Sequence, residues 1–172
     1  MTDPALHIPT LETDRLILRA PREADFAPFA AFYADGSASS SVGGPMEMRE
    51  AWRRFTADMG HWAFKGFGWW TLDDGTGPIG TCGIHAPPSH EEPELGWLLF
   101  ARGRGRGYAT EAARAARDWW MESFQGGQPR LTSNILPGNT ASEAVARRLG
   151  ATPTRAPSHN PDAIAWLHQR AA

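Results

Sequence analysis

Apolar residues recur in two rhythms along this chain, and the switches between them mark its elements. "RLILRA", Arg15 to Ala20, alternates and predicts a strand. "READFAPFAAFYA" predicts a helix that Pro28 bends or ends at its first turn. "SASSSVGG" reads as a loop. Trp52, Phe55, Met59 and Trp62 recur at helical spacing and predict an amphipathic helix from Met48 to Trp62. "GFGWWTLDDGTGPIGTCGIHA" holds two strand-like runs around "DDGTG", a hairpin signal. "PPSHEEP" reads as a loop and "ELGWLLF" as the next strand. Tyr108, Ala112, Ala115, Trp119 and Phe124 mark a helix that "QGGQP" stops. "RLTSNIL" predicts a strand, "PGN" a turn, and Thr140 to Leu149 a short helix ended by Gly150. The tail closes on a strand-like "AIAWLH". The order β-α-α-β-β-β-α-β-α-β predicts an α/β fold, a mixed sheet with helices packed on it.

Composition narrows the class. A chain of 172 residues is expected to form one domain, residues 1–172, with a full core. Hydrophobic content of 41% and eight Trp favour a packed globule over a disordered chain. A formal charge of −2 leaves no global basic field, so no nucleic-acid partner is expected. Cys82 is the only cysteine, which excludes an intramolecular disulfide and a Cys-based zinc cluster, and no metal is assigned. No apolar run approaches a membrane span, and "MTDPALHIPT" lacks the basic start and apolar core of a signal peptide. A cytoplasmic protein without a membrane partner is expected. An exposed tryptophan could serve a homodimer contact.

The chemistry concentrates in "ELGWLLFARGRGRGYATEAARAARDWW", where arginines alternate with glycines between a strand and a helix. An arginine–glycine nucleic-acid tail belongs in low-complexity sequence, which this is not. A tight structural turn and an anion cradle both remain. Repeated glycines let backbone N–H groups approach a ligand, a helix start adds its positive end, and Arg102, Arg104 and Arg106 suit phosphate oxygens. That combination favours the cradle. It is neither a P-loop nor GxGxxG, since Tyr108 and Thr110 fall where the third glycine belongs.

Here the sequence resembles the GNAT superfamily of N-acetyltransferases, and most closely its RimJ/RimL-like, ribosomal-protein alanine acetyltransferase branch. The superfamily's [RQ]-x-x-G-x-[GA] signature reads Arg104-Gly105-Arg106-Gly107-Tyr108-Ala109. A second match starts at Arg102, but the Arg104 register places "GYATEA" on Gly107 to Ala112. "LETDRLILRAPREADF", "GPIGTCGI", "ELGWLL" and "NTASEAVARRLGA" resemble further family segments in the right order from Leu11 to Gly150. The resemblance implies a mixed, mostly antiparallel central sheet with flanking helices, splayed between the fourth and fifth strands. Acetyl-CoA is then the cosubstrate, held in the splay.

Carried over by position, Trp97, Leu98 and Leu99 would run beside the pantetheine arm, one of their N–H groups meeting the acetyl oxygen. The backbone from Arg104 to Thr110, through Gly105, Arg106, Gly107, Tyr108 and Ala109, would hold the pyrophosphate. Asn139 matches a cofactor-contacting asparagine, while Arg148 suits a CoA phosphate or a solvated helix face. Glu94 stands where related enzymes place a glutamate that removes the amine's proton through water, or is a strand-end carboxylate. Glu92, His85 and His61 are the runners-up. The family's tyrosine donor position holds Ala146, and the branch's serine in N-x-x-S is Ser142, which would serve the leaving thiolate or merely sit on the helix surface. Ala151 replaces the aromatic usual after Gly150. Trp62, Phe64, Phe67, Trp69 and Trp70 read mostly as core, with Trp69 and Trp70 on opposite sheet faces. Cys82 reads as a small buried hydrophobe. Two functions follow: direct acetyl transfer to a primary amine, protein N-terminus or small molecule, in a ternary complex; or a non-catalytic acyl-CoA sensor.

Overall fold

The computed structural model describes residues 6–124, 130–155 and 160–169. Eight strands form one sheet: β1 Leu11–Glu12, β2 Ile17–Arg19, β3 Trp69–Asp73, β4 Pro78–His85, β5 Glu94–Leu99, β6 Thr132–Ile135, β7 Thr152–Thr154 and β8 Ile164–Leu167. Their order is β1-β2-β3-β4-β5-β6-β8-β7. Neighbours run antiparallel except β5 and β6, which run parallel. The helices are α1 Phe26–Ala34, α2 Gly36–Ser39, α3 Met48–Lys65, α4 Tyr108–Ser123 and α5 Thr140–Arg148. The expected fourth and fifth strands are thus β5 and β6.

Sequence alternation sorts the two sheet faces. Trp70, Leu72, Ile84 and Leu95 point toward α4, meeting Ala112, Ala116, Trp120 and the α3 residue Trp62 in the main core. Leu98 and Phe100 meet α1 and α3 through Phe29, Tyr33, Ala51 and Phe55. A third cluster, Ile135, Ala146, Ala151 and Trp166, lies at the far end of the sheet. Trp69 and Trp70 do take opposite faces, and the Trp69 indole lies across Gly96, where an added Cβ would stand 2.4 Å from its ring.

Several expectations change. "SASSSVGG" is not a plain loop: the Asp35 carboxylate accepts the N–H groups of Ser37 and Ala38 and starts α2, which a 3-10 turn at Ser40–Val42 continues. Pro28 does not break its helix, because it sits in the first turn of α1, where no intrahelical N–H bond is required. α3 runs on to Lys65 and ends at Gly66 in the left-handed region, φ 73°. Phe64 is 89% exposed and not core, since Trp62 takes the inward direction of that turn. β1 and β7 are too short to show alternation, and Pro153 fits the edge position of β7. The expected "QGGQP" stop lies outside the described residues. Among the described residues no helix is long and apolar enough to cross a membrane.

Candidate functional site

The site begins where β5 and β6 part. They share one register pair, Glu94 with Thr132. Just beyond it the Ser133 hydroxyl donates to the Leu95 carbonyl at 2.6 Å, and His168 Nε2 stands 2.8 Å from the Ser133 Oγ. A hydroxyl has one proton to give, so His168 carries its proton on Nε2 and donates to Ser133. Burial, then the nearby positive Arg117, push the His168 pKa down to about 4. An unfolded histidine titrates near ~6.5, so the unfolded chain binds more protons between those values. The contribution of His168 to stability is therefore complete above pH ~6.5 and is lost as pH falls toward 4. We expect the denaturation midpoint to drop between pH 7 and 5, and to drop less in His168→Gln; an equal drop would clear His168.

Past this strap the edge of β5 is open. The Leu95 and Leu99 carbonyls both face away from β4, accepting from Ser133 Oγ and from Arg104 Nε (3.0 Å). Strand alternation puts the N–H and C=O of Trp97 on that edge and turns those of Leu98 to β4. Leu98 therefore reaches the cleft through its side chain.

The arginine–glycine loop resolves into unlike parts. Arg102 bonds to Asp74, Thr76 and the Gly77 carbonyl, tying down the β3–β4 turn. Gly103 presses on β4, where a Cβ would stand 2.8 Å from the Ile79 carbonyl oxygen. Gly105 and Gly107 have φ of 73° and 80°, a conformation that strains other residues. Gly107 starts α4 with no side-chain cap, so the N–H groups of the first turn face outward as a row of donors. A cavity of about 640 Å³ opens on this row. Trp97, Leu98, Leu99, Arg104, Gly105, Gly107, Tyr108, Ala109, Thr110, Asn139, Ser142 and Arg148 line it. Arg106 does not: its guanidinium lies over the Tyr108 ring at 5.2 Å, and its carbonyl accepts from Arg15. Asn139 Oδ1 accepts the Ser142 N–H at 3.2 Å, capping α5.

A second cavity, about 410 Å³, lies on the other side of the wedge. Trp69, His85, His90, Glu94, Gly96 and Asn134 line it, with Ser41 to Gly43 and Arg54 opposite. The two cavities share Trp97, Leu98, Asn139 and Ser142, and also Ser41 and Val42. Glu94 accepts from Asn134 Nδ2 at 2.9 Å. His85 Nε2 and His90 Nδ1 stand 3.9 and 3.6 Å from its Oε2. The other runners-up fall elsewhere. His61 accepts the Ala86 N–H at Nε2 and donates from Nδ1 to the Phe67 carbonyl, so both nitrogens are engaged. Glu92 pairs with Arg130 outside both cavities. Cys82 is fully buried, and burial raises its thiol pKa well above the ordinary value. Ala146 has no exposed surface among Ile135, Ala151 and Trp166, which leaves no room there for a tyrosine.

Periodicity could not reveal His90, Asn134, Arg54 or the Ser41 to Gly43 segment. His90 comes from the β4–β5 loop, Asn134 from the strand across the wedge, Arg54 from α3 and Ser41 to Gly43 from the turn after α2, and only the fold brings them to one chamber.

This arrangement can be set against known proteins. The family model for the acetyltransferase (GNAT) domain matches residues 15–152. The chain belongs to the GNAT acetyltransferase family. An acetyltransferase from Agrobacterium tumefaciens is 39% identical with a TM-score of 0.88, covering 99% of each chain. The uncharacterized protein YkkB of Bacillus subtilis is 34% identical over 151 residues, 81% of this chain and 83% of its own length. RimL, a ribosomal-protein α-N-acetyltransferase solved with coenzyme A, is 18% identical with a TM-score of 0.73 over 94% of this chain and 97% of its own; this GNAT acetyltransferase shares its fold.

Proposed function

We propose that residues 1–172 form one catalytic domain that moves acetyl from acetyl-CoA to a primary amine by direct attack in a ternary complex. The observation that carries this reading is the meeting of two cavities at Trp97 and Ser142, a donor-lined groove on one side and a carboxylate-bearing chamber on the other. The groove suits CoA. Its uncapped α4 N-terminus and Arg104 match a pyrophosphate, and the open β5 edge matches an amide-bearing arm. The solved RimL complex with coenzyme A supports this assignment on the shared fold.

When bound, acetyl-CoA supplies an activated carbonyl on a good leaving group. Glu94 takes the proton of the incoming amine, directly or through one water, freeing its lone pair for the carbonyl carbon. The Trp97 N–H meets the negative charge developing on the carbonyl oxygen as the C–N bond forms. The C–S bond then breaks with its electron pair on sulfur; the Ser142 hydroxyl gives its proton to that thiolate and is reprotonated, through water, by the second proton that the nitrogen sheds in becoming an amide. Cys82 takes no part, because a buried thiol resists ionisation. A sensor that only bound acyl-CoA would need the groove alone. The second chamber and its carboxylate favour turnover.

Release of free CoA from acetyl-CoA, screened across small amines and N-terminal peptides, tests the reading; no turnover with any amine class would return the chain to a sensor. Gly107→Val tests the groove. A β-branched side chain at φ 80° next to the donor row should weaken CoA binding by about tenfold or more, about 1.4 kcal/mol. Calorimetry on a variant whose melting shows it folded should record that loss, and unchanged affinity would remove the pyrophosphate assignment.

A further inference from the structure

The carboxylate of the second chamber stands among metal-type donors. His85 ends β4, Glu94 opens β5, and the two are register partners, so their side chains share one sheet face. Residues 86–93 carry His90 back over that pair, with the two imidazole rings 5.0 Å apart at 58°. One donor atom from each of the three residues lies within 4.8 Å of the other two, and Glu94 Oε2 stands 3.9 Å from His85 Nε2 and 3.6 Å from His90 Nδ1. Donors about 2.0–2.2 Å from a tetrahedral zinc-class ion stand roughly 3.4 Å apart, so modest side-chain rotation closes the triangle. Two imidazoles and one carboxylate favour zinc and the late first-row ions, and reject magnesium. Outer contacts already orient two of the donors: Asn134 Nδ2 holds the Glu94 carboxylate, and the Trp69 ring lies 5.3 Å from that of His85.

We propose that His85, His90 and Glu94 bind one zinc-class divalent cation at the wall of the acceptor chamber, and that the bound cation shuts off acetyl transfer. A carboxylate lone pair engaged on a cation no longer takes the amine's proton, and the ion's remaining positions fill chamber space the amine needs. The cation is an inhibitory ligand, separate from the acetyl-CoA cosubstrate. Binding stands on the donor geometry; inhibition rests on the acceptor reading of this chamber. The sequence expectation of no metal came from cysteine content, and His90 lies in a loop whose path only the fold defines.

Zinc is titrated into metal-free, full-length protein against a chromogenic chelator, with no acetyl-CoA or amine present. The expected result is one zinc per chain at about micromolar Kd or tighter, undisturbed by millimolar magnesium. His85→Ala and His90→Ala should each weaken it by on the order of a hundredfold, whereas His7→Ala at an exposed position should leave it unchanged. CoA affinity equal to that of the parent shows that the variants are folded. No stoichiometric binding, or equal binding in the His85/His90 double variant, overturns the site. A second arm measures turnover: inhibition should be competitive with the amine and not with acetyl-CoA. Zinc that binds and is lost in the variants, yet leaves turnover untouched, overturns the inhibitory half and the acceptor reading while the site stands.

Discussion

Replacing Glu94 by glutamine should lower kcat/KM about a hundredfold near neutral pH, with KM for acetyl-CoA nearly unchanged. Glutamine keeps the size of the side chain and can still face Asn134, but it cannot take a proton. An alkyl amine is mostly protonated at neutral pH, so without a base only its small neutral fraction reacts. Raising the pH enlarges that fraction, and the variant should regain part of its rate in proportion to the free amine. A lower-pKa amine should narrow the gap between variant and parent for the same reason. The assays are run with a chelator present, so that a cation on His85 and His90 does not mask the comparison. Parent-like rates with the same pH profile would reduce Glu94 to a strand-end charge held by Asn134.

Ser142→Ala should lower kcat about ten- to a thousandfold while CoA affinity stays nearly constant. The expected pattern follows from position. Ser142 borders both cavities, and its backbone N–H is fixed by Asn139, so the first turn of α5 presents the hydroxyl from a rigid base. The alanine variant keeps that backbone bond and removes only the donor, which separates a role in thiolate departure from a role in capping. An Asn139→Ala variant provides the contrast: losing the cap should destabilise α5 by about 1 kcal/mol and disturb both cavities together. Full kcat in Ser142→Ala would leave the thiolate to be protonated by water.

Particular elements show how far the sequence reaches. The β3–β4 hairpin was legible because "DDGTG" sits between two strand-like runs, and α4 because Tyr108, Ala112, Ala115 and Trp119 repeat at helical spacing. Both signals are local, so neighbouring residues carry them. α2 was missed because its start depends on one Asp35 carboxylate reaching two amides, which a loop-like composition conceals. β7 was missed because three residues, one of them proline, show no alternation. Phe64 was misplaced because its type suggests burial, whereas its direction on α3 points to solvent.

The sequence by itself determined the order of the main elements, the glycine-rich loop between β5 and α4, and the alternation that separates Trp69 from Trp70. Backbone preference and side-chain period act over a few residues, and they need no partner to be read. Tertiary structure alone decided which arginine was available: Arg102 is tied to the β3–β4 turn, whereas Arg104 lines the groove. It also decided that β5 and β6 part after one pair, that Ala146 is enclosed, and that Glu94 meets His90 and Asn134. These are contacts between segments distant in the chain or joined by an irregular loop. Their existence depends on how the sheet is ordered, and no local rhythm of polar and apolar residues records that order.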